Sequence, residues 1–170
     1  MPPHDDSDWR ECAASLRRAG RIDEAVHACR RAIEGAPGDA AAWSELSHAL
    51  RAGGKGEDAK GAANRAIELD PRSASAWFNL GAILLAEGAV AQSIEAGRKA
   101  VELDPGFAEA WSNLGGALAA VGDKPGEMDA YRRALDINPG LAAVWSNLGN
   151  ALRETARIPE AVAACRRAQL

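Results

Sequence analysis

Three asparagines, Asn79, Asn113 and Asn147, stand 34 residues apart. An Asn side chain carries a carbonyl acceptor and two N–H donors, so it can hold both polar groups of a peptide backbone without reading side chains. One such amide per interval would make a ladder for an extended polypeptide. At the same phase the earlier residues are Glu11 and Glu45, which interrupt the ladder. Phe78 and Leu85 lie seven apart beside Asn79, and a large aromatic next to an aliphatic suits an anchor. Ser112 and Gly116 are small and leave room for a chain to pass. His48 and Arg51 add polar and cationic groups, and Asn150 adds an amide. The candidate peptide-binding residues are therefore Asn79, Asn113, Asn147, Phe78, Leu85, Ser112, His48, Arg51 and Asn150.

Residues suited to catalysis or metal binding are not arranged for either. His4, His27 and His48 have no nucleophile at a suggestive spacing. Cys12, Cys29 and Cys165 form no C-x-x-C and no His/Cys grouping of zinc type. They fall at core phases and are expected as buried thiols. The run GGKG at Gly53–Gly56 lacks the following Ser or Thr of a phosphate loop, and its glycines already have a turn to make. No catalytic residue, metal site or cofactor is expected, and the chain does not read as an enzyme.

The elements that position these residues follow from one period. Trp9, Trp43, Trp77, Trp111 and Trp145 are 34 residues apart, and Pro37, Pro71, Pro105 and Pro139 keep the same step. Counting Trp as position 4, the units begin at Asp6, Ala40, Ala74, Ala108 and Ala142. Leu at position 11 throughout, and at position 7 in four units, continues the Trp stripe at helical spacing. Position 8 is small (Ala13, Ser47, Gly81, Gly115, Gly149), which admits a second helix close by. Position 15 is Gly in four units and stops the first helix. An alanine-rich second helix follows and ends before proline, which pushes its predecessor out of the helical region. Each unit is thus a helical hairpin. Positions 2, 6, 9 and 13 point away from the Trp–Leu stripe at about 100° per residue, and the asparagines are among them. On this geometry they contribute nothing to packing. Phe78 has a second reading, a cover over the joint between neighbouring first helices.

The pattern resembles the tetratricopeptide repeat (TPR) family, whose signature is Trp, Leu, Gly, Leu or aromatic, Ala, aromatic, Ala and Pro at positions 4, 7, 8, 11, 20, 24, 27 and 32. The resemblance implies an all-α solenoid, with hairpins stacked into a right-handed superhelix and first helices lining a concave groove. It divides the chain into a tail at 1–5 and an array at 6–170, with repeats 6–39, 40–73, 74–107, 108–141 and an incomplete 142–170. The asparagine pattern is similar to that of the TPR arm of O-linked N-acetylglucosamine transferases, which implies a backbone-holding role for Asn79, Asn113 and Asn147. Asn is also frequent at this phase in TPRs of many functions. The fourth repeat departs from the signature, with Glu127 at position 20 after Pro125 and Gly126, and a looser second helix is expected there.

A net charge of −4 gives little support to nucleic-acid binding. Cations recur at positions 25 and 26, and acids at position 29 stand four residues on from Arg30, Arg98 and Arg132, as exposed helix pairs do. No segment approaches a membrane span, and MPPHDDSDW has no apolar run, so the expected location is cytoplasmic and no disulfide is expected. Asp8 and Ser15 put polar groups on the stripe that touches a preceding repeat, as in an N-terminal cap. Val162, Cys165 and Leu170 lack a covering helix, which suggests a longer protein or a homo-oligomer through that end. The expected function is a non-catalytic scaffold that binds an extended peptide or partner helix in the groove. The alternatives are a substrate-recruiting arm of a larger, glycosyltransferase-like enzyme, and a self-assembly module.

Overall fold

The computed structural model describes residues 6–168, with side chains from Trp9 onward. The tail at 1–5 (His4 included), the Asp8 side chain, Gln169 and Leu170 lie outside the described residues. Among those described there are helices and turns but no strand. The helices are α1 (Asp6–Arg18), α2 (Ile22–Gly35), α3 (Ala40–Ala52), α4 (Gly56–Leu69), α5 (Ala74–Ala86), α6 (Val90–Leu103), α7 (Ala108–Ala120), α8 (Lys124–Ile137), α9 (Ala142–Glu154) and α10 (Ile158–Arg167). They fall into two compact units, residues 1–83 and 84–170, divided within α5.

In the first unit α1 packs on α2 and α3 on α4, with α2 against α3. Its core joins Val26, Cys29, Leu46, Leu50 and Ile83 to buried alanines, and Trp9, Leu16, Trp43 and Leu80 close the edge. In the second unit α7 pairs with α8 and α9 with α10. Met128, Tyr131, Leu135, Val144, Leu148 and Leu152 form its core, flanked by Trp111 and Trp145. The small residue at position 8 has a direct consequence. A Cβ added at Gly115 would lie 2.6 Å from Cε1 of Tyr131, and one at Gly149 would lie 2.8 Å from Sγ of Cys165. The second helix therefore lies directly over that glycine.

Turn chemistry repeats with the same phase. Gly20, Gly54, Gly88 and Gly122 take φ of +75°, +72°, +79° and +74°, and the fifth turn places Ala156 at +59°. The next residue in each case donates its N–H to the position-11 leucine carbonyl, as Arg21 does to Leu16 (2.9 Å) and Arg157 to Leu152 (2.9 Å). At the other end of each hairpin, proline and tryptophan are tied together. The indole N–H of Trp43, Trp77, Trp111 and Trp145 donates to the carbonyl of Pro37, Pro71, Pro105 and Pro139 at 2.9–3.0 Å. Before those prolines, Asp70, Asp104 and Asn138 accept the N–H two residues on. This Asx turn is how the chain reverses between hairpins.

Three expectations need correction. Pro125 and Gly126 do not loosen α8, because the helix starts at Lys124 and both fall in its first turn, where Asp123 caps by accepting the N–H of Gly126 at 3.0 Å. Buried Glu127 is paired with Lys124 at 2.9 Å. The outer ion pairs use position 26, three residues before the acid: Arg31–Glu34, Arg65–Glu68 and Lys99–Glu102. Arg132 instead reaches Glu160 at 3.9 Å. Finally, of the three free cysteines only Cys29 is buried, while Cys12 is half-buried and Cys165 exposed. Burial pushes the Cys29 thiol up to about 12.

Candidate functional site

In the first unit the candidates meet along one seam between α3 and α5. Ser44, His48 and Arg51 are spaced by four and three residues, so they share a stripe of α3. Ser44 Oγ donates to Ser75 Oγ at 3.0 Å. The Phe78 ring faces both other residues, edge-on to His48 with centroids 6.4 Å apart and 6.0 Å below the Arg51 guanidinium. Phe78 therefore covers a joint between first helices, the second of its two sequence readings. From α1, Arg17 donates to Glu45 at 2.7 Å.

Asn79 does not stand on an unused face. It is 2% exposed, and its Nδ2 donates to the Ser44 carbonyl at 3.0 Å and to Ser44 Oγ at 3.3 Å. The assumption that Asn at this phase does nothing for packing is wrong here. The α3 backbone comes within reach, and the amide donates to a helix-interior carbonyl as a second donor beside the i+4 helical N–H. Its own Oδ1 is buried without a protein partner among the described residues.

Electrostatically the seam is a small cationic enclave in an acidic chain. Burial, then the charges of Arg17 and Arg51, hold the His48 imidazole down at about 4, so it is neutral at physiological pH. Burial and the Arg17 charge also lower the Arg51 guanidinium from its ordinary range. Arg17 and Arg10 have carboxylates, Glu45 and Asp39. Arg51 has none among the described residues, and its Nε is buried without an acceptor.

The second unit arranges its candidates differently. Ser112 and Asn113 on α7 are half-buried, Leu85 is half-buried, and Asn147 on α9 is exposed. The amides of Asn113 and Asn147 make no hydrogen bond to a described residue. Asn150 is not grouped with Asn147. It lines an open pocket between α9 and α10 with Arg153, Ile158, Val162 and Cys165. Sequence reasoning missed Ser44, the carbonyl and hydroxyl partner of Asn79. It also missed Lys124, which bridges Glu127 at 2.9 Å and Glu154 at 2.6 Å. The only available signal for Ser44 was a polar residue at position 5, one phase before the asparagine, in the preceding repeat. Among the described residues no set of His, Cys, Asp or Glu is grouped to hold a metal, and no helix is long and apolar enough to cross a membrane.

A family model described as Tetratricopeptide repeat matches residues 44–108 and 98–142, and a second model of the same description matches 6–49. The chain belongs to the tetratricopeptide repeat family. Solved structures of similar fold include MamA, at 24% identity and a TM-score of 0.75, with 92% of each chain covered. A thermophilic TPR protein of Thermus thermophilus matches at 19% identity and a TM-score of 0.83, over 96% of this chain and 90% of that one. YrrB, described as a TPR protein with an unusual peptide-binding site, matches at 19% identity and 0.69, over 96% and 84%. No curated protein matches the sequence. At these identities the likeness is one of fold: this TPR chain is an α-solenoid, built in general terms as a protein-interaction scaffold.

Proposed function

We propose that this TPR chain is a non-catalytic scaffold that holds an extended peptide on the polar faces of its odd-numbered helices. The observation that carries this is the division among the asparagines. The fold consumes one amide, Asn79, and leaves those of Asn113 and Asn147 without a hydrogen-bond partner among the described residues. Free amides at one repeat phase match the alternating donors and acceptors of an extended backbone. A neighbour of the same fold, YrrB, has a peptide-binding site, which supports the reading. The test is fluorescence anisotropy with labelled unstructured peptides. Asn113→Ala with Asn147→Ala should weaken the best peptide by about 1–3 kcal/mol, and Arg132→Ala should leave it unchanged. Loss in the Arg132 variant with retention in the asparagine variant would move the site elsewhere.

A second reading, association of two copies through the α9–α10 face, draws on Ile158 and Val162, which are 51% and 46% exposed there. Sedimentation of wild type beside Ile158→Lys/Val162→Lys separates the two: a dimer that the double variant abolishes supports self-association.

A further inference from the structure

The seam of α3 and α5 contains a cation with no anion paired to it among the described residues. Arg51 is half-buried, and its guanidinium donates to no acceptor among the described residues. The neighbouring arginines differ: Arg10 is matched by Asp39 at 3.0 Å and Arg17 by Glu45 at 2.7 Å. Withdrawing a guanidinium from water without pairing it is costly, and a fold that needed only packing here could use an apolar side chain. Phe78 sets the orientation, since the guanidinium lies 6.0 Å over its ring. His48 stands edge-on to the same ring, one helical turn from Arg51.

We propose that Arg51, oriented by Phe78 and assisted by His48, receives a carboxylate of a peptide bound at the first unit, the side chain of an Asp or Glu. The inference rests on the reading of this chain as a peptide-binding scaffold and concerns a contact made within the first unit. Guanidinium and carboxylate match as two parallel N–H···O bonds, a geometry a point charge cannot reproduce. The neutral imidazole can donate one further N–H without adding charge. Glu45 is taken up by Arg17 at 2.7 Å, so an incoming carboxylate would give Arg51 a counter-ion of its own. The chain as a whole is acidic, so long-range attraction does not draw acidic peptides to it, and selection for the carboxylate is local.

The experiment uses capped, immobilised heptapeptide pools whose central residue is fixed as Glu, Asp, Gln, Lys or phosphoserine and whose other positions are mixed. Retention of the full chain is measured at low salt and again at high salt. Wild type should keep the Glu and Asp pools about tenfold better than the Gln pool, with the preference shrinking in salt. Arg51→Gln should bring the Glu pool down to the Gln level, and Arg51→Lys should keep part of the preference while circular dichroism remains that of wild type. Arg72→Gln, an exposed loop substitution, should change nothing. Equal retention of Glu and Gln pools by wild type would overturn the carboxylate receptor and leave peptide binding standing. A Glu preference surviving intact in Arg51→Gln would overturn it too, and phosphoserine outranking Glu would make the ligand a phosphate. Retention of no pool would remove the peptide reading and this inference with it.

Discussion

Asn79 donates its side-chain N–H to the main-chain carbonyl of Ser44, 35 residues earlier, at 3.0 Å from a buried position. The bond joins one first helix to the next within the first unit. Removing the amide takes away the second hydrogen bond to the Ser44 carbonyl and the one to its hydroxyl, and leaves a small void. Asn79→Ala should therefore cost about 1–3 kcal/mol. Asn147→Ala removes an exposed amide with no partner among the described residues and should stay within about 0.5 kcal/mol of wild type. Urea midpoints at constant m-value check both. Equal costs would mean that the two asparagines do the same work.

The periodic residues were legible because one packing problem is solved repeatedly with the same side chains. Trp, Leu, Gly and Pro disclose their partners by recurring. Asn79 was not legible in this way, because its partner is a main-chain carbonyl and every residue has one. Whether the α3 backbone comes within reach depends on helix spacing, and no residue type records that. The outer ion pairs were misplaced by one residue because both i,i+3 and i,i+4 neighbours face each other on a helix. Pro125 and Gly126 resemble breakers only if α8 has already begun. One turn of register makes them a normal helix start.

The fifth inter-helix turn has an alanine where the others have glycine. Ala156 sits at φ +59°, a region in which a Cβ crowds the following carbonyl. Ala156→Gly should stabilise the second unit by about 0.5–1 kcal/mol, and Gly122→Ala, at φ +74°, should cost about 1 kcal/mol. Opposite shifts in melting temperature are the expected result. Shifts in the same direction would remove backbone strain as the explanation.

Gly115 and Tyr131 form a lock between α7 and α8. The added methyl of Gly115→Ala would meet Cε1 at 2.6 Å, and the tyrosine is 3% exposed with no easy direction of retreat. The substitution should cost about 1–3 kcal/mol. Combining it with Tyr131→Leu should recover part of the loss, because the narrower side chain leaves room for the methyl. A double-mutant cycle with no coupling would show that the helices simply move apart.

His48 should give the first unit an acid-sensitive step above the range in which carboxylates titrate. Its folded value is held at about 4 by burial and by Arg17 and Arg51, against about 6.5 in an unfolded chain. The unfolded state therefore binds more protons between those two values, so stability rises with pH across that window. The contribution is complete above about pH 6.5 and is lost as pH falls toward 4. Part of the imidazole still reaches water, so the expected size is about 1–2 kcal/mol rather than the full shift. Glu154, lowered chiefly by its hydrogen bond from Lys124, loses its contribution only below the ordinary carboxylate value. Comparing unfolding at pH 7 and pH 5 therefore isolates the histidine. Wild type should lose stability between these points, and His48→Gln should lose measurably less. Parallel losses in the two proteins would place the acid sensitivity elsewhere. The same neutral imidazole at pH 7 is the hydrogen-bond donor assigned to the carboxylate receptor, so the unfolding series also checks the protonation state on which that role depends.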